Sequence, residues 1–318
     1  MNINFKRIPI EKVLFFDCET VRKTESIDPE SKEFELYRKK IRNRETDELP
    51  SVEDTQADYI KKAPLKLGYS KIVTIGVGFV RAGEVFIKSL VGDEEDILRE
   101  FFTISAQFDF LSGYNILGYD IPHCTVNASK YFDYTDLFQD KFVTSGKKLW
   151  ELKSVVDLME VVKGTSYINM SFDEALYHFG LNSSKTEIDG SQVSEAWYGG
   201  HQEKVINYVK QDVFQTVNLF AKMQFKPAYE DFIDRSNTIT PKVETNPLEE
   251  LYKSDYFSDK VKEELREKLA KKKLTKKDRD FIQDLLENVY QRSEFMDTDA
   301  PAIVEAKKSE IKMFVKTL

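Results

Sequence analysis

Residues 13–20 read "VLFFDCET", four apolar side chains in succession followed by two carboxylates separated by one residue. Alternate residues of a strand face opposite sides of its sheet, so Val13 and Phe15 cover one face and Leu14 and Phe16 the other. A strand apolar on both faces belongs in the middle of a sheet that is itself covered on both sides, as in layered α/β architectures. The same alternation aims Asp17 and Glu19 to one side, at the expected end of the strand near Cys18. A strand that turns polar as it meets water is the ordinary account of such a pair. Over the middle of a sheet, however, two like charges repel unless a cation bridges them, and hard ions such as Mg²⁺ or Mn²⁺ prefer carboxylate oxygens.

The surrounding pattern is consistent with that architecture. "KIVTIGVGFV" (71–80) and "EVFIKSLVG" (84–92) read as strands joined by the short turn "RAG". "DEEDILREFFTIS" (93–105) reads as a helix with acids in its first turn. "FDFLSGYNILGYDIPH" is a strand entering a shaped loop, with Pro122 placed to open a helix through Tyr131, and "LKSVVDLMEV" is a further strand. "SFDEALYHFGL" carries a capping box, Ser171 with Glu174, and a stop at Gly180. From Gln202 to Met223, Val205, Val209, Val213, Val217 and Phe220 recur at helical spacing. Hairpin strands followed by alternating helices and strands predict a mixed β-sheet flanked by helices.

Two pieces stand outside this pattern. Residues 21–68 are charged and contain helical runs such as "SKEFELYRKKIRNR", an insertion expected to pack on the domain edge. After Met223 a Pro-punctuated polar stretch, 226–247, reads as a linker between a domain over 1–225 and a helical extension over 248–318. Helices are expected there at Asp259–Lys272 and Lys276–Gln291, the second capped by Thr275. They are candidates for a protein partner or dimer contact, with packing on the main domain as the default.

Composition narrows the classes. No apolar run approaches the ~20 residues of a membrane span, and "MNINFKRIPIEK" lacks a signal peptide's apolar stretch. Two cysteines, Cys18 and Cys124, are too few for a disulfide framework and lack metal-ligand spacing, so buried thiols in a reducing cytoplasm are expected. A net charge of −8 argues mildly against a general nucleic-acid coat protein, without excluding an enzyme that holds cations among carboxylates.

Two later acids complete a series. Asp120 lies in "NILGYD" and Asp212 in "YVKQD", where Tyr208 stands four residues earlier on the same helical face. Alone, Asp120 reads as a helix cap and Tyr208–Asp212 as a solvated pair. In order, "FDCET", "NILGYD" and "YVKQD" resemble the three exonuclease motifs of the DEDD superfamily. They are most similar to the proofreading domain of family-B DNA polymerases and to stand-alone bacterial predicted 3′–5′ exonucleases related to it. "SFDEALYHFGL" followed by "SSKTEIDGSQVSEAWYGG" is also similar to that family, and the resemblance spans roughly residues 10 to 223 apart from the insertion. In the superfamily's histidine branch a His precedes the last Asp by five residues. Here that position is Asn207, which favours the tyrosine branch and leaves His201 as a helix-start residue.

The resemblance implies an RNase H-like fold and two divalent metal ions, Mg²⁺ or Mn²⁺. Its site would consist of Asp17 as bridging ligand, Glu19 and Asp212 at the metal that activates the nucleophile, Asp120 at the second, and Tyr208 orienting the attacking water. It further implies a substrate with a free 3′ end, DNA in preference to RNA, and nucleoside 5′-monophosphate products. Thr20, Asn115 and Tyr119 are the expected contacts to the terminal nucleotide. Lys147 and Lys148 in "TSGKK" are the preferred phosphate contacts over the clusters at Arg38–Arg44 and Lys271–Lys273, although any such cluster is more often a solvated face. An RNA-trimming enzyme on the same fold and a binding module without catalysis are the alternatives. No polymerase palm is expected, because only about 95 residues follow the helix that carries the last motif.

Overall fold

Strand β1 runs Val13–Arg22 through the interior of a six-stranded sheet of order β5-β4-β1-β2-β3-β6. The structure, a computed structural model, describes residues 5–132, 141–144, 146–148, 151–164, 166–185, 187–236, 275–278 and 280–283. The chain divides into two compact units, Met1–Ser236 and Asn237–Leu318. In the first, β1 pairs antiparallel with β2 (Ser70–Arg81), and β2 pairs antiparallel with β3 (Glu84–Val91) through the two-residue turn Ala82–Gly83. On the other side β4 (Phe110–Gly113) and β5 (Val155–Asp157) run parallel to β1, and β6 (Ile233–Asp234) adds a short parallel edge to β3. This is the mixed α/β sheet of an RNase H-like fold.

Both faces of the sheet are covered, as the composition of β1 requires. Leu14, Phe16 and Cys18 pack with helix α3 (Glu94–Ser105) and helix α4 (Asp120–Ala128). Val13 and Phe15 pack instead beneath a 22-residue helix, Gln202–Met223, that lies across the opposite face. That helix, α8 in chain order, follows α5 (Leu158–Lys163), α6 (Phe172–His178) and α7 (Val193–Tyr198). Its seat is made by Gly76 and Gly78 of β2: a methyl group on Gly78 would lie 2.6 Å from Val213 Cγ1, and one on Gly76 2.9 Å from Val213 Cγ2. Glycine here lets helix and sheet approach more closely than any side chain would allow.

Three details differ from the sequence reading. First, β1 does not end at Cys18. Its register shifts between Glu19 and Thr20, and Thr20, Val21 and Arg22 continue it in a buried environment. The covering residues come from far along the chain: Pro64 O accepts from the Thr20 hydroxyl at 2.6 Å, and Glu195 pairs with Arg22 at 2.7 Å. Second, α4 starts at Asp120, two residues before Pro122, and stops at Ala128; proline is tolerated within a first turn, where its missing N–H has no partner to lose. Third, β5 is only three residues long, because the Asp157 carboxylate accepts the Met159 N–H and starts α5.

The insertion builds α1 (Lys32–Lys40) and α2 (Val52–Lys62), capped by Ser31 and Ser51, around its own cluster of Ile27, Phe34, Tyr37, Tyr59 and Ala63. The Ser171–Glu174 capping box is present, and Gly180 has φ +69° just past the end of α6. Cys18 and Cys124 are both buried free thiols. Among the described residues no helix is long and apolar enough to cross a membrane. In the second unit the Thr275 hydroxyl accepts the Asp278 N–H at 3.3 Å, and residues 276–278 and 280–283 are helical. The expected helix Asp259–Lys272, the rest of Lys276–Gln291 and the cluster Lys271–Lys273 lie outside the described residues.

Candidate active site

Asp17 and Glu19 share the α8-facing side of β1 with Val13 and Phe15, so the alternation that fills the core also delivers two carboxylates to the base of the helix. Asp212 projects from α8 to meet them. One carboxylate oxygen from each of Asp17, Glu19 and Asp212 lies within 4.8 Å of the other two. Glu19 and Asp212 are 8% and 7% exposed, and Asp212 Oδ1 is buried with no hydrogen-bond partner.

Asp120 reaches the cluster from the first turn of α4. It is buried, and its carboxylate accepts the N–H of Cys18, the residue between the two acids of β1, at 2.8 Å. Burial pushes its carboxyl up to about 7 against that hydrogen bond. Burial likewise raises Asp17 well above the ordinary carboxylate range, reinforced by the charges of Asp120, Glu19 and Asp212. Glu19 is raised by burial and by Asp212 and Asp120. Asp212 rises to about 6 through burial, moderated by the nearby hydroxyls of Ser184 and Tyr208 and the charge of Lys185. Asp17 and Glu19, raised further by the carboxylates around them, are unfavourable as bare charges beside Asp120 and Asp212. An oxygen-only donor set with an orphaned buried carboxylate oxygen fits a hard divalent cation.

Tyr208 stands one helical turn before Asp212, its ring packed with Val21, Val73, Ile188 and Val193. Burial and the charges of Asp212, Glu19 and Asp17 raise its phenol strongly, so it is a protonated donor at any ordinary pH. His201 is the N-cap residue of α8 and is exposed.

The expected contact residues divide into two groups. Thr20 and Tyr119 adjoin Glu19 and Asp120 in the chain, and Asn115 lies in the turn that leads into Asp120. Thr20 is 4% exposed; its hydroxyl donates to Pro64 O and lies 2.5 Å from Tyr119 Oη, which ties both residues to the insertion. Asn115 has φ +61° and anchors a tight turn in which its carbonyl accepts the N–H groups of Gly118 and Tyr119. Lys147 and Lys148 are exposed on a separate loop, where the Lys148 N–H donates to Glu151 at 2.7 Å.

One residue the sequence reading missed is Asp157. At 1% exposure its carboxylate accepts the N–H groups of Asn115 (2.8 Å), Leu117 (3.0 Å) and Met159 (3.0 Å), holding the turn that leads into Asp120. The available signal was an acid closing the apolar run "VVD" of a parallel strand, where the carboxyl ends of such strands converge. Ser184, buried beside Asp212, and Lys185, paired with Asp173, were also unremarked.

Comparison with known proteins places the chain in a family. A family described as predicted 3′–5′ exonucleases related to the exonuclease domain of PolB matches residues 62–241. The match includes Asn115, Asp120, Asp157, Tyr208 and Asp212 and begins after Asp17 and Glu19. A DNA polymerase from Archaeoglobus fulgidus (strain ATCC 49558 / DSM 4304 / JCM 9628 / NBRC 100126 / VC-16) is 27% identical over 147 residues, 44% of this chain but 19% of the polymerase. With more than half of its length matched, the chain belongs to the family of predicted 3′–5′ exonucleases related to the exonuclease domain of PolB.

Proposed function

We propose that the acid cluster is the catalytic centre of a metal-dependent 3′–5′ exonuclease of the tyrosine branch. It removes nucleoside 5′-monophosphates from single-stranded or frayed 3′ ends of DNA during repair or processing in the cytoplasm. The observation that carries this reading is the convergence of Asp17, Glu19 and Asp212 within 4.8 Å, from one strand and one helix, around a carboxylate oxygen without a partner. Asp17, Glu19, Asp120 and Asp212 would hold two Mg²⁺ or Mn²⁺ ions, Asp17 serving both, Glu19 and Asp212 one and Asp120 the other. When bound, such ions ease formation of the hydroxide nucleophile and stabilise charge on the departing 3′ oxygen.

The remaining work belongs to the chain. Tyr208, kept protonated, donates to and orients the attacking water beside Asp212. Asn115 presents its side chain to the terminal nucleotide from a turn fixed by Asp157. Thr20 and Tyr119 form the wall behind that nucleotide, and Lys147 and Lys148 meet phosphates farther along the strand. The preference for DNA is supported by the name of the polymerase to which the chain is similar.

Labelled single-stranded DNA and RNA incubated with Mg²⁺ or Mn²⁺ test the proposal. Stepwise loss of mononucleotides from the 3′ end of DNA is expected. Degradation of RNA alone would overturn the substrate, and binding without release would favour a non-catalytic module.

A further inference from the structure

Gly190 opens the short turn Gly190–Gln192 between α6 and α7, and it stands beside the hydroxyl of Tyr208. A methyl group placed on Gly190 would lie 3.7 Å from Tyr208 Oη; outside its own turn, it would meet no other atom of the described residues within 4 Å. Two common reasons for a glycine are therefore missing. Its φ lies outside the left-handed region that glycine alone enters freely, and no close approach of a neighbouring element demands a bare Cα. What a side chain here would change is the access to the Tyr208 hydroxyl.

The turn is held in place on both sides of Gly190. The Asp189 carboxylate accepts the Ser191 N–H at 2.8 Å, and the Gln192 side chain accepts the Asp189 N–H at 3.0 Å. Ile188 before it and Val193 after it pack in the same cluster as the Tyr208 ring. Gly190 itself is exposed, whereas Tyr208 is buried, so the bare Cα borders solvent at the hydroxyl. Two buried oxygens of the same neighbourhood have no hydrogen-bond partner, Ser184 Oγ and Asp212 Oδ1. The hydroxyls of Ser184 and Tyr208 both act on the Asp212 carboxylate. A buried hydroxyl and a buried carboxylate oxygen left unpaired beside each other call for a polar guest that completes them.

We infer that Gly190 is a positioning residue for the hydrolysis: its missing side chain keeps clear the space where the attacking water meets the Tyr208 hydroxyl beside Asp212. This rests on the exonuclease reading of the acid site. A water that accepts from the phenol must come within about 2.8 Å of Tyr208 Oη. A methyl group 3.7 Å from the same oxygen crowds one flank of that water, and a branched side chain fills the flank. Glycine at 190 leaves the flank open while the capped turn keeps the rest of the wall in place.

The test compares Gly190→Ala and Gly190→Val with the wild-type full chain, each with and without Tyr208→Phe. Alanine meets no clash and restricts the unfolded chain, so Tm should hold or rise. On a single-stranded DNA with Mn²⁺, kcat should nevertheless fall, severalfold for alanine and up to about a hundredfold for valine, the scale of a misplaced reacting group. KM and the rise in Tm on adding Mn²⁺ should not change. In the Tyr208→Phe background the same substitutions should add little, because the hydroxyl through which they act is gone. Valine that lowers kcat equally in both backgrounds, or in neither, overturns the assignment. A second readout needs no turnover. In metal-free protein labelled with meta-fluorotyrosine, the resonance lost in Tyr208→Phe should shift between H₂O and D₂O, and Gly190→Val should diminish that shift. An undiminished shift in Gly190→Val overturns the proposal whether or not the wild-type chain cleaves. A diminished shift, with a wild-type chain that releases no nucleotide, would uphold Gly190 as the opening to Tyr208 and reject the exonuclease reading.

Discussion

The N–H of Cys18 donates to the carboxylate of Asp120 at 2.8 Å, fixing the start of α4 onto β1 at the residue between Asp17 and Glu19. The side chain of Cys18 points the other way, into the cluster formed with α3 and α4. One residue of a buried strand therefore sends its thiol to the core on one face while its backbone positions the third acid beside the first two. An acid at a helix N-terminus is also favoured by the helix dipole. The contact thus holds the Asp120 carboxylate against the backbone of β1 between Asp17 and Glu19.

Removing Asp17 is the most direct challenge to the site. Asp17→Ala should reduce nucleotide release about a thousandfold or more, the equivalent of several kcal/mol of lost charge stabilisation. It should not destabilise the metal-free protein, because it deletes one of four mutually repelling acids. Cleavage rates and thermal melts in EDTA measure both. Activity close to wild type would reject the site.

The cluster also makes a prediction about pH. Asp120 and Asp212 titrate near 7 and 6 in the folded chain, above the ordinary carboxylate value of 3.8. Between about pH 4 and 7 the folded state therefore binds more protons than the unfolded state. Metal-free stability should be greatest at the acid end of this window and fall as pH rises through it. Each ~1 kcal/mol so lost lowers Tm by about 2–4 °C in a domain of this size. Mg²⁺ or Mn²⁺ should raise Tm most at pH 8, where the carboxylates are bare, and least near pH 5, where protons compete. A melting temperature in EDTA that climbs from pH 5 to pH 8 would contradict the arrangement.

Tyr208 tests the tyrosine-branch reading, with His201 as the control. Tyr208→Phe removes a protonated hydroxyl next to Asp212 and keeps the ring that packs against Val21 and Val73. A tenfold to hundredfold fall in kcat is expected, with Tm and metal-induced stabilisation unchanged. His201→Ala, at an exposed helix start, should leave kcat within a factor of about two. Unchanged kcat in Tyr208→Phe would reject Tyr208 as the residue that orients the attacking water.

Much of this was legible because it depends on local pattern. The apolar doublets of β1 announced a central strand, and the valine ladder of α8 announced a helix presenting Tyr208 and Asp212 on one face. What was not legible depends on partners distant in sequence. Nothing near Thr20 shows that β1 continues, since Pro64 and Glu195 cover it from 44 and 173 residues away. Asp120 read as a loop residue because Pro122 signals a helix start, whereas the turn held by Asp157 starts the helix two residues sooner. Gly76 and Gly78 looked like ordinary small residues of a strand, and only the approach of α8 explains them.

Asp157 supplies the last prediction. Its carboxylate accepts three backbone N–H groups, and its charge also helps hold the Asp120 carboxyl high. Asp157→Asn keeps the shape, turns an NH₂ group toward an N–H donor and removes the charge. The unpaired donor should cost about 1–3 kcal/mol of stability. The terminal nucleotide, contacted by Asn115, should bind less tightly, and KM should rise more than kcat falls. Loss of the neighbouring charge should lower the proton affinity of Asp120 and shift the acidic limb of the kcat profile to lower pH. A purely structural role would depress Tm and activity together and leave that limb in place. A drop in Tm with an unmoved limb would reduce Asp157 to a loop anchor, whereas a shift to lower pH would make it the residue that sets when Asp120 ionises.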